Sequence, residues 1–224
     1  VSQPARRVDP EPLNPPRYIA IEGPIGVGKT TLAKRLAYSF NHLPVLENAE
    51  QNPFLERFYR DARQNALATQ LFFLFQRTQQ IQELKQGDLF SPAWVTDFLV
   101  GKDRLFAKLN LDANEYSLYD RVYQQMAIEA PAPDLVVYLQ APTDVLLQRI
   151  HQRGIRHEQA IERSYLEKIN AAYSEFFLYY DDAPLLIINA AQMDFAHGER
   201  DYEQLVNYLL TIRSGRHYFN PSLI

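Results

Sequence analysis

The chain contains no cysteine, which excludes disulfides and thiolate metal sites and suits a reducing compartment; the cytoplasm is the expected location. No apolar run approaches the ~20 residues of a membrane-spanning helix, and the first residues lack the apolar core of a secretory signal. No membrane partner is therefore expected. Positive charge is not in surplus either: 23 Lys and Arg face 27 Asp and Glu, a formal net charge of -4. That balance argues against a nucleic-acid polymer as the main partner, because phosphate backbones select for a basic surface. The sequence has no internal repeat and no N-K-x-D segment of the kind that reads guanine in GTPases. Glycine is scarce, with 8 among 224 residues. Where glycines gather, the backbone has a reason to need them.

They gather in Gly23-Pro24-Ile25-Gly26-Val27-Gly28-Lys29-Thr30, which fits the phosphate-cradling pattern G-x-x-x-x-G-K-[ST] at every fixed position. An apolar run (Tyr18, Ile19, Ala20, Ile21) precedes it and a helical pattern (Leu32, Leu36, Phe40) follows. This strand–loop–helix context is what the motif requires. The glycines let several backbone N–H groups turn toward one anion, and the following helix adds its positive end. Lys29 is expected on the β- and γ-phosphates, and the Thr30 hydroxyl on Mg²⁺, with Thr31 beside them. A nucleoside triphosphate, ATP with Mg²⁺, is the expected ligand.

The length suits one α/β domain, residues 17–224, behind a proline- and charge-rich tail or linker at residues 1–16. Strands are expected at Tyr18–Glu22, Val45–Glu47, Ala93–Asp97, Leu135–Leu139 and Leu185–Ile188. Helices are expected at Lys29–Phe40, from Asn52 through Tyr59, Leu67–Leu84, Leu105–Leu109, Tyr116–Ile128, Thr143–Gln152, Ser164–Tyr180 and Tyr202–Arg213. The long Leu67–Leu84 helix has Leu67, Leu71, Leu74, Phe75 and Ile81 as its apolar stripe. Apolar strands alternating with amphipathic helices predict a three-layer P-loop fold, a parallel sheet of about five strands covered on both faces. Strand ends and P-loop then share one ligand-binding edge.

With the guanine-reading segment absent, one domain of this size favours a small-molecule kinase. The run from Ile19 to Leu32 resembles the opening of the deoxynucleoside kinases, particularly the bacterial deoxyguanosine and deoxyadenosine kinases. The likeness continues through Leu46–Leu55, Phe58-Tyr59, Gln70–Arg77, Asp134–Leu139 and Arg149–Gln159, in the family's order and spacing. It implies transfer of phosphate from ATP to the 5′-hydroxyl of a deoxynucleoside, with purines preferred, and a homodimer.

The resemblance makes Glu47 the general base, Tyr59 and Glu158 sugar contacts, and Gln70 with Arg77 the groups that meet the base edge. Gln70 and Arg77 lie two helical turns apart with Leu74 between them, so they share a face. Arg149, Arg153 and Arg156 form an arginine-rich lid over the transferring phosphates, Arg149 and Arg153 as catalytic cations. Ile155 stands where relatives often carry an arginine, so Arg156 falls one position late. Asp97 suits a carboxylate at Mg²⁺ and substrate, but many relatives follow this acid with Arg-Ser, whereas this chain has Phe98-Leu99. Lys102 or Arg104 is the candidate replacement, and Asp120-Arg121 reads as a solvated pair.

Two other readings fit the P-loop: a nucleoside-monophosphate kinase of the thymidylate kinase type, and a non-catalytic nucleotide-sensing protein. A carboxylate at Glu47 would repel an acceptor phosphate, and the retained Glu47, Asp97 and lid arginines weigh against a sensor.

Lys29 serves a ligand and not the core, so Lys29→Ala is expected to abolish turnover while leaving the thermal unfolding midpoint near that of the parent. A folded variant with near-parent turnover would sink the triphosphate site.

Overall fold

The computed structural model describes residues 14–86, 93–126 and 130–221. Most of the expected tail, and the expected helix end at Ile128, lie outside those residues. Six strands, β1 (Tyr18–Glu22), β2 (Leu43–Val45), β3 (Trp94–Thr96), β4 (Leu135–Gln140), β5 (Leu185–Asn189) and β6 (Arg216–Phe219), form one parallel sheet in the order β2-β3-β1-β4-β5-β6. Every residue of β1, and all but the last of β4 and β5, is buried. A parallel sheet covered on both faces requires this, and it explains why these strands read as unbroken apolar runs. The sixth strand was not expected. Arg216-His217-Tyr218-Phe219 buries only Phe219, so this half-exposed edge carries no apolar run to announce it.

Eight helices flank the sheet among the described residues: α1 (Lys29–Phe40), α2 (Leu55–Arg60), α3 (Ala62–Gln86), α4 (Lys102–Asn110), α5 (Ala113–Gln125), α6 (Thr143–Arg153), α7 (Arg163–Leu178) and α8 (Glu199–Leu209). Each has a local cause. In α1, Leu32, Ala33, Leu36 and Ala37 turn one face to the core, and the Asn41 N–H closes the end from a left-handed conformation. Asp112 and Glu115 form a reciprocal capping box at the start of α5. Beneath the sheet, Tyr138 of β4 stacks on Phe177 of α7 with centroids 4.2 Å apart.

Two expectations change. The second strand is Leu43–Val45 and stops short of Glu47. In α3, Phe75 is 55% exposed and does not belong to the inner face. That face instead buries Ala66, Thr69, Gln70, Leu74, Arg77, Thr78 and Ile81. Of the expected stripe, Leu74 and Ile81 are buried and Leu67 and Leu71 pack against the Leu74 cluster. A helix that also turns polar groups inward has no clean apolar stripe, and Phe75 is the residue that periodicity misplaced.

β1 has β3 on one side and β4 on the other, so the strand order reverses there. The crevice beyond the carboxyl ends of such strands is where open α/β sheets bind ligands.

Candidate active site

At the end of β1 the chain enters the P-loop through Gly23, whose φ is +150°; an added Cβ would lie 2.5 Å from the Leu139 carbonyl of neighbouring β4. Gly26, at φ +83°, is pressed against Ile150 of α6 in the same way. Only glycine fits either position, and together they curl the loop around the start of α1. No acidic side chain occupies the first turn of α1, so the positive end of that helix is left for a ligand. Lys29 is half-buried, and its Nζ donates to the carbonyls of Gly23 (2.8 Å) and Pro24 (3.2 Å). Burial pushes its pKa down, and nearby Lys102 adds to this.

A cavity of about 420 Å³ opens over Gly26, Val27, Gly28, Lys29, Thr30 and Thr31. Arg149, Arg153 and the Met193–His197 loop close its far side. Arg149 donates to the carbonyls of Val27, Ala190, Ala191 and Met193. It therefore ties the loop after β5 to the P-loop and shapes the cavity floor.

A second cavity, of about 150 Å³, lies on the other side of the loop and shares Gly26, Lys29, Thr30 and Arg153 with the first. Its wall includes Glu47, Tyr59, Gln70, Arg77, Asp97 and Glu158, which the sequence had placed in one site from five separate segments. Asp97, only 2% exposed, links the two sides. Its Oδ2 accepts from Thr30 Oγ1 at 2.5 Å and its Oδ1 from the Glu47 backbone N–H at 2.7 Å. Burial raises its pKa, and the two hydrogen bonds work against that rise.

Glu47 sits in a group of buried charges. Arg77 pairs with Glu47 through one guanidinium nitrogen and with Asp103 through another. Lys102 Nζ lies 3.6 Å from Glu47 Oε2 and 3.4 Å from Glu22 Oε1. Burial alone would raise the Glu47 carboxyl, but Arg77, then Lys102 and Lys29, outweigh it and hold the pKa at about 2, against an ordinary 4.5. Glu22 is fully buried and accepts from the backbone N–H groups of Gly23 (3.0 Å) and Leu99 (2.8 Å) and from Tyr173 Oη (2.7 Å). Tyr59 stacks on His157, and Glu158 pairs with Arg153.

Several expectations are corrected here. Arg156 is exposed and lines neither cavity. Pro24 lines neither, but its carbonyl holds Lys29. Arg104 cannot replace the missing arginine, because it pairs with Asp120 at the surface and lies over the Tyr123 ring. That same bond makes Arg104, and not Arg121, the partner of Asp120. Sequence reasoning missed Glu22, Asp103 and Tyr173. A charged residue closing an apolar strand was the available signal for Glu22; an aspartate in a first helical turn reads as an ordinary dipole partner.

Thr30 Oγ1 and Asp97 supply hard oxygen donors beside the P-loop. This set fits Mg²⁺ held by one carboxylate, a hydroxyl and the phosphates of its nucleotide; among the described residues no group of three or more His, Asp or Glu is arranged to hold an ion alone.

The depressed Glu47 pKa has a thermodynamic consequence. A carboxyl lowered from 4.5 to about 2 on folding adds stability that is complete above pH 4.5 and is lost as pH falls toward 2. The stability difference between parent and Glu47→Gln, measured by urea unfolding, should therefore be constant above about pH 5 and move in favour of the variant between pH 4.5 and pH 2. A pH-independent difference would show that Arg77 and Lys102 do not hold Glu47 ionised.

Comparison with known proteins shows the family and the fold. The family model described as deoxynucleoside kinase matches residues 19–212. The deoxyguanosine kinase of Bacillus subtilis is 31% identical over 206 residues, covering 88% of this chain and 98% of that protein. The deoxyadenosine/deoxycytidine kinase of the same organism is 28% identical over 202 residues, covering 87% and 92%. Among solved structures, deoxyadenosine kinase from M. mycoides with the products dCMP and a flexible dCDP superposes with a TM-score of 0.75 at 27% identity, over 87% of this chain and 100% of that one. The same kinase with bound dATP gives 0.73 at 28% identity, over 86% and 98%. This chain belongs to the deoxynucleoside kinase family.

Proposed function

We propose that the chain transfers the γ-phosphoryl group of ATP to the 5′-hydroxyl of a deoxynucleoside, with a purine as the preferred base. One observation carries this reading: the two cavities meet at Gly26, Lys29, Thr30 and Arg153, with the P-loop on one side and Glu47 on the other. A triphosphate in the larger cavity and a nucleoside in the smaller one would bring the terminal phosphate and a sugar hydroxyl together across that boundary. Positioning of this kind, with charge stabilisation, supplies most of the catalysis in phosphoryl transfer.

In this reading the loop amides, Lys29 and Arg153 hold the donor phosphates. Mg²⁺ on Thr30 and Asp97 would offset their charge. Glu47 accepts the hydroxyl proton. It is held ionised, the correct state for a base, but a carboxylate at about 2 has little proton-transfer driving force. A nucleoside that draws Arg77 toward its base would loosen the pair and raise the basicity of Glu47. Gln70, Arg77 and Asp103 offer donors and acceptors together, and Asp103 Oδ2 and Arg77 Nε have no hydrogen-bond partner among the described residues. Such a set matches the mixed donor–acceptor edge of a purine. Tyr59 and Glu158 serve the sugar from the lid side, where the Glu158–Arg153 pair joins them. Phe75 of α3 and Leu118 of α5, on helices that pack together, are 55% and 51% exposed, which supports a homodimer covering that face.

An acceptor that already carries a phosphate would bring negative charge against Glu47, Asp97 and Glu158, so a monophosphate kinase fits less well. Assay of dG, dA, dC, dT and dAMP with Mg-ATP is expected to show turnover with deoxynucleosides, highest for a purine, and none with dAMP. Glu47→Gln should lower kcat by ~10²–10⁴-fold with a smaller change in nucleoside affinity, because it keeps shape and removes basicity. Turnover with dAMP alone, or loss of affinity with kcat intact, would contradict this assignment.

A further inference from the structure

Four cationic side chains line the acceptor cavity: Lys29, Arg77, Lys102 and Arg153. Three have evident tasks. Lys29 rests on the P-loop carbonyls, Arg77 is held by Glu47 and Asp103, and Arg153 reaches in from the lid beside Glu158. Lys102 is different. It is 3% exposed, yet its ammonium makes only long contacts, 3.4 Å to Glu22 and 3.6 Å to Glu47. A tight charge-assisted hydrogen bond between such groups runs at about 2.7–2.9 Å.

Two structural observations argue against a purely neutralising role. Both Glu22 oxygens are already engaged by neutral donors, the N–H groups of Gly23 and Leu99 and the Tyr173 hydroxyl, so Lys102 is not needed to satisfy them. Lys102 is also the first residue of α4, where a helix disfavours positive charge. A buried cation kept at a helix N-terminus is a local cost that folds tolerate chiefly at functional sites. Its placement follows from the chain before it. Phe98 is fully buried with Ile81 and Val100 and brings no charge to the cavity, and the turn through Gly101 delivers Lys102 in its place.

We propose that Lys102 is a catalytic cation of this enzyme, contacting the nucleoside 5′ oxygen and the phosphoryl group as it passes to that oxygen. The proposal rests on the kinase reading above. In the step, the 5′ oxygen attacks the γ-phosphorus and a new P–O bond forms. The bond from that phosphorus to the β–γ bridging oxygen breaks, and its electron pair leaves with the nucleoside diphosphate. The 5′-hydroxyl proton passes to Glu47. Lys102 keeps its proton throughout and offsets the negative charge on the moving oxygens.

The test compares Lys102→Met, Lys102→Arg and the double variant Lys102→Met with Glu22→Gln, at saturating Mg-ATP and the preferred deoxynucleoside. The double variant guards against misfolding from an uncompensated Glu22. Lys102→Met should lower kcat by ~10²–10³-fold, as loss of a charge-stabilising group does, with both KM values changing far less. The double variant should be equally slow, and Lys102→Arg should recover a large share. Parent turnover in folded Lys102→Met, or in the double variant, would overturn the proposal while leaving the kinase reading intact. A parent that phosphorylates no deoxynucleoside would overturn both.

Discussion

The carboxylate of Asp97 holds the site together. One oxygen takes the Thr30 hydroxyl at the head of α1 and the other takes the Glu47 backbone N–H beyond β2. Because β3 lies between β2 and β1, Asp97 stands between the segments it joins. Glu47 belongs to no strand, so no sheet ladder fixes it; the hydrogen bond to Asp97 sets its place relative to the P-loop. The distance between the P-loop and Glu47 is therefore built into the fold, and fixed distances of this kind are the condition under which orientation lowers a barrier.

Around that bridge the protein accepts a density of buried charge that packing alone would not favour. Glu22, Asp97 and Asp103 lie beside Arg77 and Lys102, all 5% exposed or less, at the crest of an otherwise apolar sheet. Buried ion pairs are often neutral or worse for stability. Such contacts can be exchanged for contacts to a bound nucleoside and triphosphate, as can the hydrogen bonds of Lys29 to the Gly23 and Pro24 carbonyls.

These two features decide what was legible in the sequence. The P-loop could be read outright, because its glycines meet a backbone requirement that no other residue satisfies. The central strands were equally clear, since burial on both faces leaves an apolar run. Glu47, Gln70 and Arg77 were recognisable only through resemblance, as their meeting point depends on long-range packing. Elsewhere the local signal misled or was silent. Phe75 lies on the exposed side of α3, whose inner face mixes Leu74 and Ile81 with Gln70 and Arg77, and β6 is half-exposed. Lys102 and Arg104 were equivalent by spacing, but one turns inward to Glu22 and Glu47 and the other outward to Asp120. A helix start on its own does not say which residue faces the sheet.

In the proposed reaction, donor and acceptor occupy adjoining cavities at the same time and phosphate passes directly between them. The stereochemical course at phosphorus tests this most directly, using ATP made chiral at the γ-phosphorus with oxygen isotopes and analysing the deoxynucleoside 5′-monophosphate formed. A single in-line displacement across the boundary at Lys29 and Thr30 predicts inversion of configuration. Retention would require an even number of displacements, through a phosphorylated protein side chain, and would contradict direct transfer.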